Sequence, residues 1–486
     1  MLTIEEIKTF LEEDAASQIK TAAREGQRYY DGRHDILDYR MFYWNADGQL
    51  VEDTTRSNAK IPHPFFTELV DQGVQHILSG DEGLFRSDIP ELQEQLDLYF
   101  NMNETFQAEL SETITDQQAK GFGYLYAYKG AEDRLEFESA DCLGVVEVEG
   151  RFTEDGKDQY IYKYVDRVDK DGKTQWKIWV VDDKATYYYV QEDDGEIQKD
   201  PEKKLNPRPH AVYKKNDKLF TKEFGFVPFF RLENNKKKVG LLRSVKPLID
   251  DYDIMASSLT NNLIDFDTPI HVVKGFQGDN LDELQTNLKT KKMIGVDEDG
   301  GLEVHTVDVP YEARLAKLEL DEKSIYKFGM GLNMSGLKDT AATTNIAIKA
   351  AYSLLELRCS KAIIQIKKML REILKVVLNE INETQSTDYQ PSQVYFNFEP
   401  EVMANSSENA QVALTEAQEQ QIRINTMLGL ATHFDNETLM QSVCEILDID
   451  YQEVKDRLPD PDDAMNQLKG GNIDLGNEPI EKEPVL

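Results

Sequence analysis

The chain has 486 residues, 40% of them apolar and 30% charged, with 55 basic against 90 acidic side chains and a formal net charge of −35. That length exceeds one ordinary hydrophobic core and implies two to four domains, while no stretch approaches the roughly 18 uncharged apolar residues of a membrane span. Such an acidic balance excludes a tight grip on phosphates through basic patches and leaves room only for transient contact with nucleic acid.

The N-terminus, MLTIEEIKTFLEEDAASQIK, reads as an acidic amphipathic helix rather than a signal peptide, which predicts a cytoplasmic product. Residues 3–31 read as one helix with Ile4, Ile7, Leu11, Ile19 and Ala22 on one side, ended by Asp31-Gly32. A second helix is expected at about 65–79, stopping at Gly80, and a third at about 92–120, stopping at Gly121. From Gly121 to about Arg231 the period changes to two, through YLYAY, RLEFESA, CLGVVEVEG, YIYKYVDRV, TQWKIWVV and ATYYYVQE. Turns at KDGK and EDDGE complete the pattern of antiparallel hairpins. The Tyr and Trp stripes could stack bases, but a half-buried sheet face explains them.

Helical spacing returns over residues 244–267. There Leu248, Tyr252, Met255, Leu259 and Leu263 form an apolar stripe, Ser244 is placed to cap, and Pro247 falls in the first turn. The opposite face carries Asp250, Asp251, Asp253 and Asp265. A short α/β insert follows: a strand at PIHVVKGF, a helix at NLDELQTNLKT, and a hairpin of KKMIGV and LEVHTVDV turning about Asp297 to Gly301. Another helix covers about 311–328.

Next comes GMGLNMSGLKDTAATTNIAIKAAY, residues 329–352, where Gly329, Gly331 and Gly336 are expected to loosen the backbone. Its Ser, Thr and Asp favour turns, so a mobile loop is predicted. The longest periodic segment then runs from about 345 to 383, roughly 57 Å of helix at 1.5 Å per residue. Its apolar residues (Ile346, Leu354, Leu355, Leu357, Ile363, Ile364, Ile366, Leu370, Ile373, Leu374 and Val377) are too many for one stripe, so neighbours must cover more than one face. A strand at QVYFNFEPEV and helices at SSENAQVALTEAQEQQIRINTMLGL, NETLMQSVCEIL and YQEVKDRL follow. Residues 459–486 are polar and expected to be disordered.

Catalytic patterns are missing: no GxxxxGK[ST], no GxGxxG after a strand, no HExxH and no GxSxG. His34, His63, His76, His210, His271, His305 and His433 show no pair at ligand spacing and read as surface or packing residues. Cys142, Cys359 and Cys444 form no CxxC and read as small apolar residues. Asp250-Asp251-x-Asp253 and Asp448-x-Asp450 are acid pairs of a kind common in so acidic a chain. No metal, no cofactor and no enzymatic activity are expected.

Four stretches taken in order carry a resemblance: YYDGRHDI (29–36), NAKIPHPFFTELVDQGVQHILSGD (58–81), FGFVPFFRLENN (224–235) with VKPLIDDYDIMAS (245–257), and NMSGLKDTAATTNIAIKAAYSLLELRCSKA (333–362). With the helix, insert, helix, loop, long-helix succession they resemble the portal proteins of tailed double-stranded DNA bacteriophages, in the branch typical of long-tailed phages of Gram-positive hosts. The resemblance implies an α+β portal fold, with a helical and β-rich wing at 1–243, stem helices at 244–267 and 311–328 and a small α/β clip at 268–310. It places a tunnel loop at 329–345, the long helix and return strand of the wing at 346–404, an α-helical crown at 405–458 and a disordered tail at 459–486.

It further implies a twelve-subunit ring in the virion, assembled in the host cytoplasm at one vertex of the capsid, through which DNA is packaged and ejected without sequence preference. The expected partners are a terminase large subunit, a head-completion or adaptor protein, and the major capsid and scaffolding proteins, with no membrane. Lys338, Asp339, Thr340, Thr343, Thr344, Asn345 and Lys349 are then candidates for transient DNA contact, and Asp250, Asp251, Asp253 and Asp265 for an acidic channel lining that repels the duplex and keeps it centred. The alternatives are another capsid-assembly protein of scaffold type, or a nucleic-acid-processing enzyme.

Overall fold

The computed structural model describes residues 2–266, 270–276, 296–305, 310–333, 345–398, 406–429, 441, 442 and 444, apart from 55, 81, 82, 131, 132, 216 and 217. The chain divides into two compact units, residues 1–339 with 349–402 and residues 340–348 with 403–486.

The first unit opens with α1 (Ile4–Ala15) and α2 (Gln18–Tyr30), where one helix was expected over 3–31. The break lies at Ser17, which takes extended backbone and accepts from the Lys20 N–H at 3.1 Å, starting a new helix. Helix α3 (Phe65–Leu78) follows as expected. The helix expected over 92–120 is divided into α4 (Pro90–Leu96), a π turn at Asp97–Asn101, and α5 (Glu104–Lys120). Asn103 separates them by accepting from the Phe106 N–H at 3.1 Å as the cap of α5. Helix α5 ends where Gly121 turns left-handed at φ 97.

A two-stranded hairpin, Ala211–Lys215 with Lys218–Lys222, and two larger antiparallel sheets make up the described β-rich region. The smaller of these sheets orders Phe229–Glu233, Phe122–Lys129 and Leu135–Ala140. The larger runs Gln198–Lys199, Ala185–Glu192, Thr174–Val181, Gln159–Val168, Val145–Val148, with Arg208–Pro209 also paired to Ala185–Glu192. Its turns fall at the expected places, with Gly172 at φ 81 and Asp193 at φ 46. Helix α1 lies on this sheet, its Ile7 buried with Val146, Val148, Ile161, Ile178 and Val180. The aromatic stripe is consumed by packing: Tyr160 stacks on Phe229 at 5.1 Å, and Tyr162 meets Trp179 edge to face at 5.9 Å.

Helix α6 (Leu242–Phe266) begins two residues before Ser244, whose hydroxyl donates to Leu241 O at 2.9 Å from within the first turn, and Pro247 is interior. Its buried face is Leu242, Val245, Ile249, Asp253 and Ser257. At 100° per residue that face lies roughly a quarter turn from the expected stripe, and it becomes polar halfway along. Helix α7 (Tyr311–Gly329) packs along α6. In the insert, Ile270–Phe276 pairs antiparallel with Val296–His305, Ile270 opposite His305 and Phe276 opposite Val296. That second strand includes Asp297–Gly301, where a turn was expected. The pairing register shifts there, with Lys274 opposite Gly301 and Phe276 opposite Val296, so a single residue of the first strand spans residues 297–300 of the second.

Helix α8 (Asn345–Gln385) matches the long periodic segment, and Tyr395–Phe396 returns to pair with Phe85–Arg86. Leu355, Cys359, Ala362, Ile366, Leu370, Ile373, Leu374 and Val377 of α8 are buried, whereas Leu354, Leu357 and Ile364 are exposed. Among the described residues of the second unit is α9 (Ser406–Gly429), the first helix expected after the return strand. The helix expected at NLDELQTNLKT, most of the last two helices and the tail at 459–486 lie outside the described residues. None of the described helices is long and apolar enough to cross a membrane.

Candidate functional site

The candidate site is built where α7 ends and the segment toward α8 begins. Helix α7 closes with Met330 N–H donating to Lys327 O at 3.4 Å and Gly331 N–H donating to Tyr326 O at 2.9 Å, the paired bonds of a Schellman end. The left-handed residue is Met330, at φ 52, not a glycine. Gly329 and Gly331 flank it for a different reason. A Cβ on Gly329 would stand 2.6 Å, and one on Gly331 2.2 Å, from methyl carbons of Leu69, which is fully buried on α3. These two glycines therefore serve close packing, in place of the loosening expected of them.

Side chains from α3 and α8 hold this root. The Gln72 amide brackets Leu332, accepting from its N–H at 2.9 Å and donating to its carbonyl at 2.9 Å. Tyr326 donates to Glu68 Oε2 at 2.6 Å; burial raises its hydroxyl pKa, and the adjacent carboxylate raises it further. Arg358 of α8 donates to Gly329 O at 3.0 Å and to Leu69 O at 2.7 Å. The guanidinium thus reaches a carbonyl at the negative end of α7, a favourable place for a cation, although burial lowers its pKa. Asn333 donates to Glu322 at 3.2 Å. Lys338, Asp339, Thr340, Thr343 and Thr344 lie outside the described residues; Asn345 begins α8, and Lys349 is exposed on it.

Glu68, Leu69, Gln72 and Arg358 were not singled out from the sequence. Arg358 carried one signal, a charged residue next to Cys359 and one turn from Leu355 and Ala362, on the buried side of α8. Gln72 and Glu68 carried none, being polar residues on a helix some 260 positions away.

The four acidic residues of α6 separate. Asp251 is exposed and pairs with Lys317 at 2.5 Å. Asp250 is half-buried, accepts from Tyr29 OH, and pairs with Lys246 at 2.7 Å. Asp265 accepts from the Ser57 N–H at 3.1 Å. Asp253 is 0% exposed and faces inward. His34 Nδ1 lies 2.7 Å from one of its oxygens and His63 Nδ1 2.8 Å from the other, while the His63 N–H donates at 2.9 Å. Burial pushes the Asp253 carboxyl pKa up, but the bonds from His34 and His63 outweigh it and hold the pKa below the usual value. Two histidines with no pattern in sequence thus meet on one carboxylate. They approach its opposite oxygens, so the cluster ties three segments together around the carboxylate.

Asp116, Asp141 and Cys142 converge closely enough to suggest metal ligands. The Lys120 ammonium stands among them, 2.9 Å from Asp116 and 3.2 Å from Asp141, and supplies the cation itself. Burial raises the Asp116 carboxyl to about 6, against the pull of Lys120.

Comparison with known proteins gives a consistent set of relatives. The profile of the family described as "Phage portal protein, SPP1 Gp6-like" matches residues 11–456. The portal protein of Bacillus phage SPP1 is 28% identical over 373 residues, covering 75% of this chain and 71% of that protein. The portal protein of Clostridium phage phiCD119 is 30% identical over 195 residues, covering 39% of this chain and 42% of that protein. A solved chain described as "Neck of native GTA particle computed with C12 symmetry" is 11% identical with a TM-score of 0.36, covering 78% of this chain and 89% of that one.

Proposed function

The chain belongs to the SPP1 Gp6-like family of phage portal proteins, and from that premise we propose that twelve copies close into a ring at one capsid vertex and form the conduit for packaging and ejecting double-stranded DNA. The observation that carries this reading is the family match through nearly the whole chain. The exposed stripe of Leu354, Leu357 and Ile364 on α8 supports it, because a ring of head-to-tail contacts gives such a face a neighbouring copy to cover it.

In this reading 329–345 is a tunnel loop projecting toward the axis. Lys338, Thr340, Thr343 and Thr344, with Lys349 beside them, touch the phosphate backbone transiently, and Asp339 and Asn345 flank those contacts. The described start of the loop, through Asn333, is held by Gln72, Tyr326 and Arg358. The acidic stem keeps the duplex centred, because each gripped phosphate would add a counterion-release term opposing translocation. Asp251 and the outward sides of Asp250 and Asp265 serve that role, and Asp253, sealed within the subunit, does not. The insert at 268–310 docks the terminase large subunit and later the head-completion protein, while the capsid and scaffolding proteins surround the ring. ATP hydrolysis resides in the terminase.

Deleting residues 338–344 tests the loop's role. Rings are expected to form as before, with DNA packaging or retention impaired in infected cells. Unchanged packaging would show that the segment merely connects two helices.

A further inference from the structure

Residues 57–63 run beside α6 in a regular two-to-four repeat. The Ser57 N–H donates to Asp265 Oδ1 at 3.1 Å, the Ala59 N–H to Asn261 Oδ1 at 2.6 Å, the Ile61 N–H to the Ser257 hydroxyl at 3.1 Å, and the His63 N–H to Asp253 Oδ1 at 2.9 Å. Every second amide of this strap meets every fourth side chain of the helix, in opposite chain directions. The spacings agree, since two extended residues advance about 6.6 Å and four helical residues about 6.0 Å. The intervening residues face away from α6: Asn58 Nδ2 donates to Tyr39 O at 3.4 Å and Lys60 Nζ to Leu37 O at 2.8 Å. The helix thus presents side chains to the strap much as a sheet edge presents carbonyls.

The two halves of α6 are held by different physics. Up to Asp253 its contacts are buried apolar groups, Leu242, Val245 and Ile249, followed by the carboxylate shared with His34 and His63. Beyond Asp253, Ser257 alone is buried among the described side chains, and Ile254, Leu263 and Ile264 are exposed. Opening the first half would expose apolar surface. Opening the second exchanges protein hydrogen bonds for bonds to water, which has a small net cost.

We propose that the strap at 57–63 and the second half of α6 form a catch. The bonds to Ser257, Asn261 and Asp265 open and close together, and the His34–Asp253–His63 cluster is the fixed pivot. The catch lets the far end of α6 part from the body while the first half stays in the core. It rests on contacts within one chain and stands independently of the portal reading.

Residue-resolved hydrogen exchange on the full chain tests it. The amides of Ser57, Ala59 and Ile61 are expected to exchange at one common rate, faster than those of His63 and of residues 249–253. Asn261→Ala removes the acceptor of Ala59 alone, yet is expected to speed Ser57, Ala59 and Ile61 together by about threefold to tenfold, leaving His63 unchanged. Acceleration of Ala59 alone, or of the strap and residues 249–253 equally, would overturn the catch. If the variant does not fold, the unaltered protein decides: strap amides exchanging no faster than residues 249–253 would also overturn it.

Discussion

Asp253 concentrates more of the fold than any other titratable group, because one carboxylate receives segments 34, 63 and α6. An aspartate of the unfolded chain titrates near 3.8, and in the fold the value is lower. The carboxylate therefore contributes its stability in full above about pH 3.8, and that contribution is lost as pH falls through the folded value. Asp253→Asn is expected to destabilise by roughly 1.5–3 kcal/mol at neutral pH, since it removes charge-assisted bonds from a buried site. The variant should also show a shallower loss of stability below pH 4, measurable by denaturant titration across pH. A pair of substitutions separates backbone conformation from close packing at the root of the loop. Met330→Gly should stabilise by about 1 kcal/mol, because the left-handed position then carries no Cβ. Gly331→Ala should destabilise by roughly 1–3 kcal/mol, because its Cβ would press on Leu69, which is buried and has no room to withdraw. Equal effects of the two, read as melting temperatures, would contradict this account.

At the scale of elements, the sequence was legible wherever one signal acted alone. The long helix α8, the Gly121 stop of α5 and the hairpin turns at Gly172 and Asp193 follow from periodicity and turn chemistry that nothing opposes. It was misleading where a local cap competed with periodicity, as at Ser17 and Asn103, which divide two expected helices. It misled again on α6, whose most apolar stripe is only half covered while a face ending in Asp253 and Ser257 is buried. Hydrophobicity alone carries no sign that polar groups will be satisfied by a distant strap. The root of the loop was illegible for the same reason, its partners Gln72 and Arg358 being brought in by tertiary packing. On α8 the expected second apolar face is present, with Leu357 52% and Ile364 64% exposed. Leu357→Asp with Ile364→Asp should leave the folded subunit intact by circular dichroism and shift it to monomer in sedimentation, because each charge would have to be buried against a neighbouring copy. Retention of the oligomer would show that this face lies outside the contact between copies.

For the whole molecule, the net charge of −35 bears on the proposed assembly. Acidic copies repel one another at long range, so association has to come from local apolar contacts that act within a Debye length of about 8 Å at physiological salt. Higher salt should accordingly favour assembly. In the proposed conduit, the acidity that opposes association would also suit a duplex that passes without being held. The most direct test of the central claim is negative-stain electron microscopy of the purified full-length chain. Closed rings with an axial hole wide enough for a DNA duplex are predicted; monomers or open filaments would contradict the account.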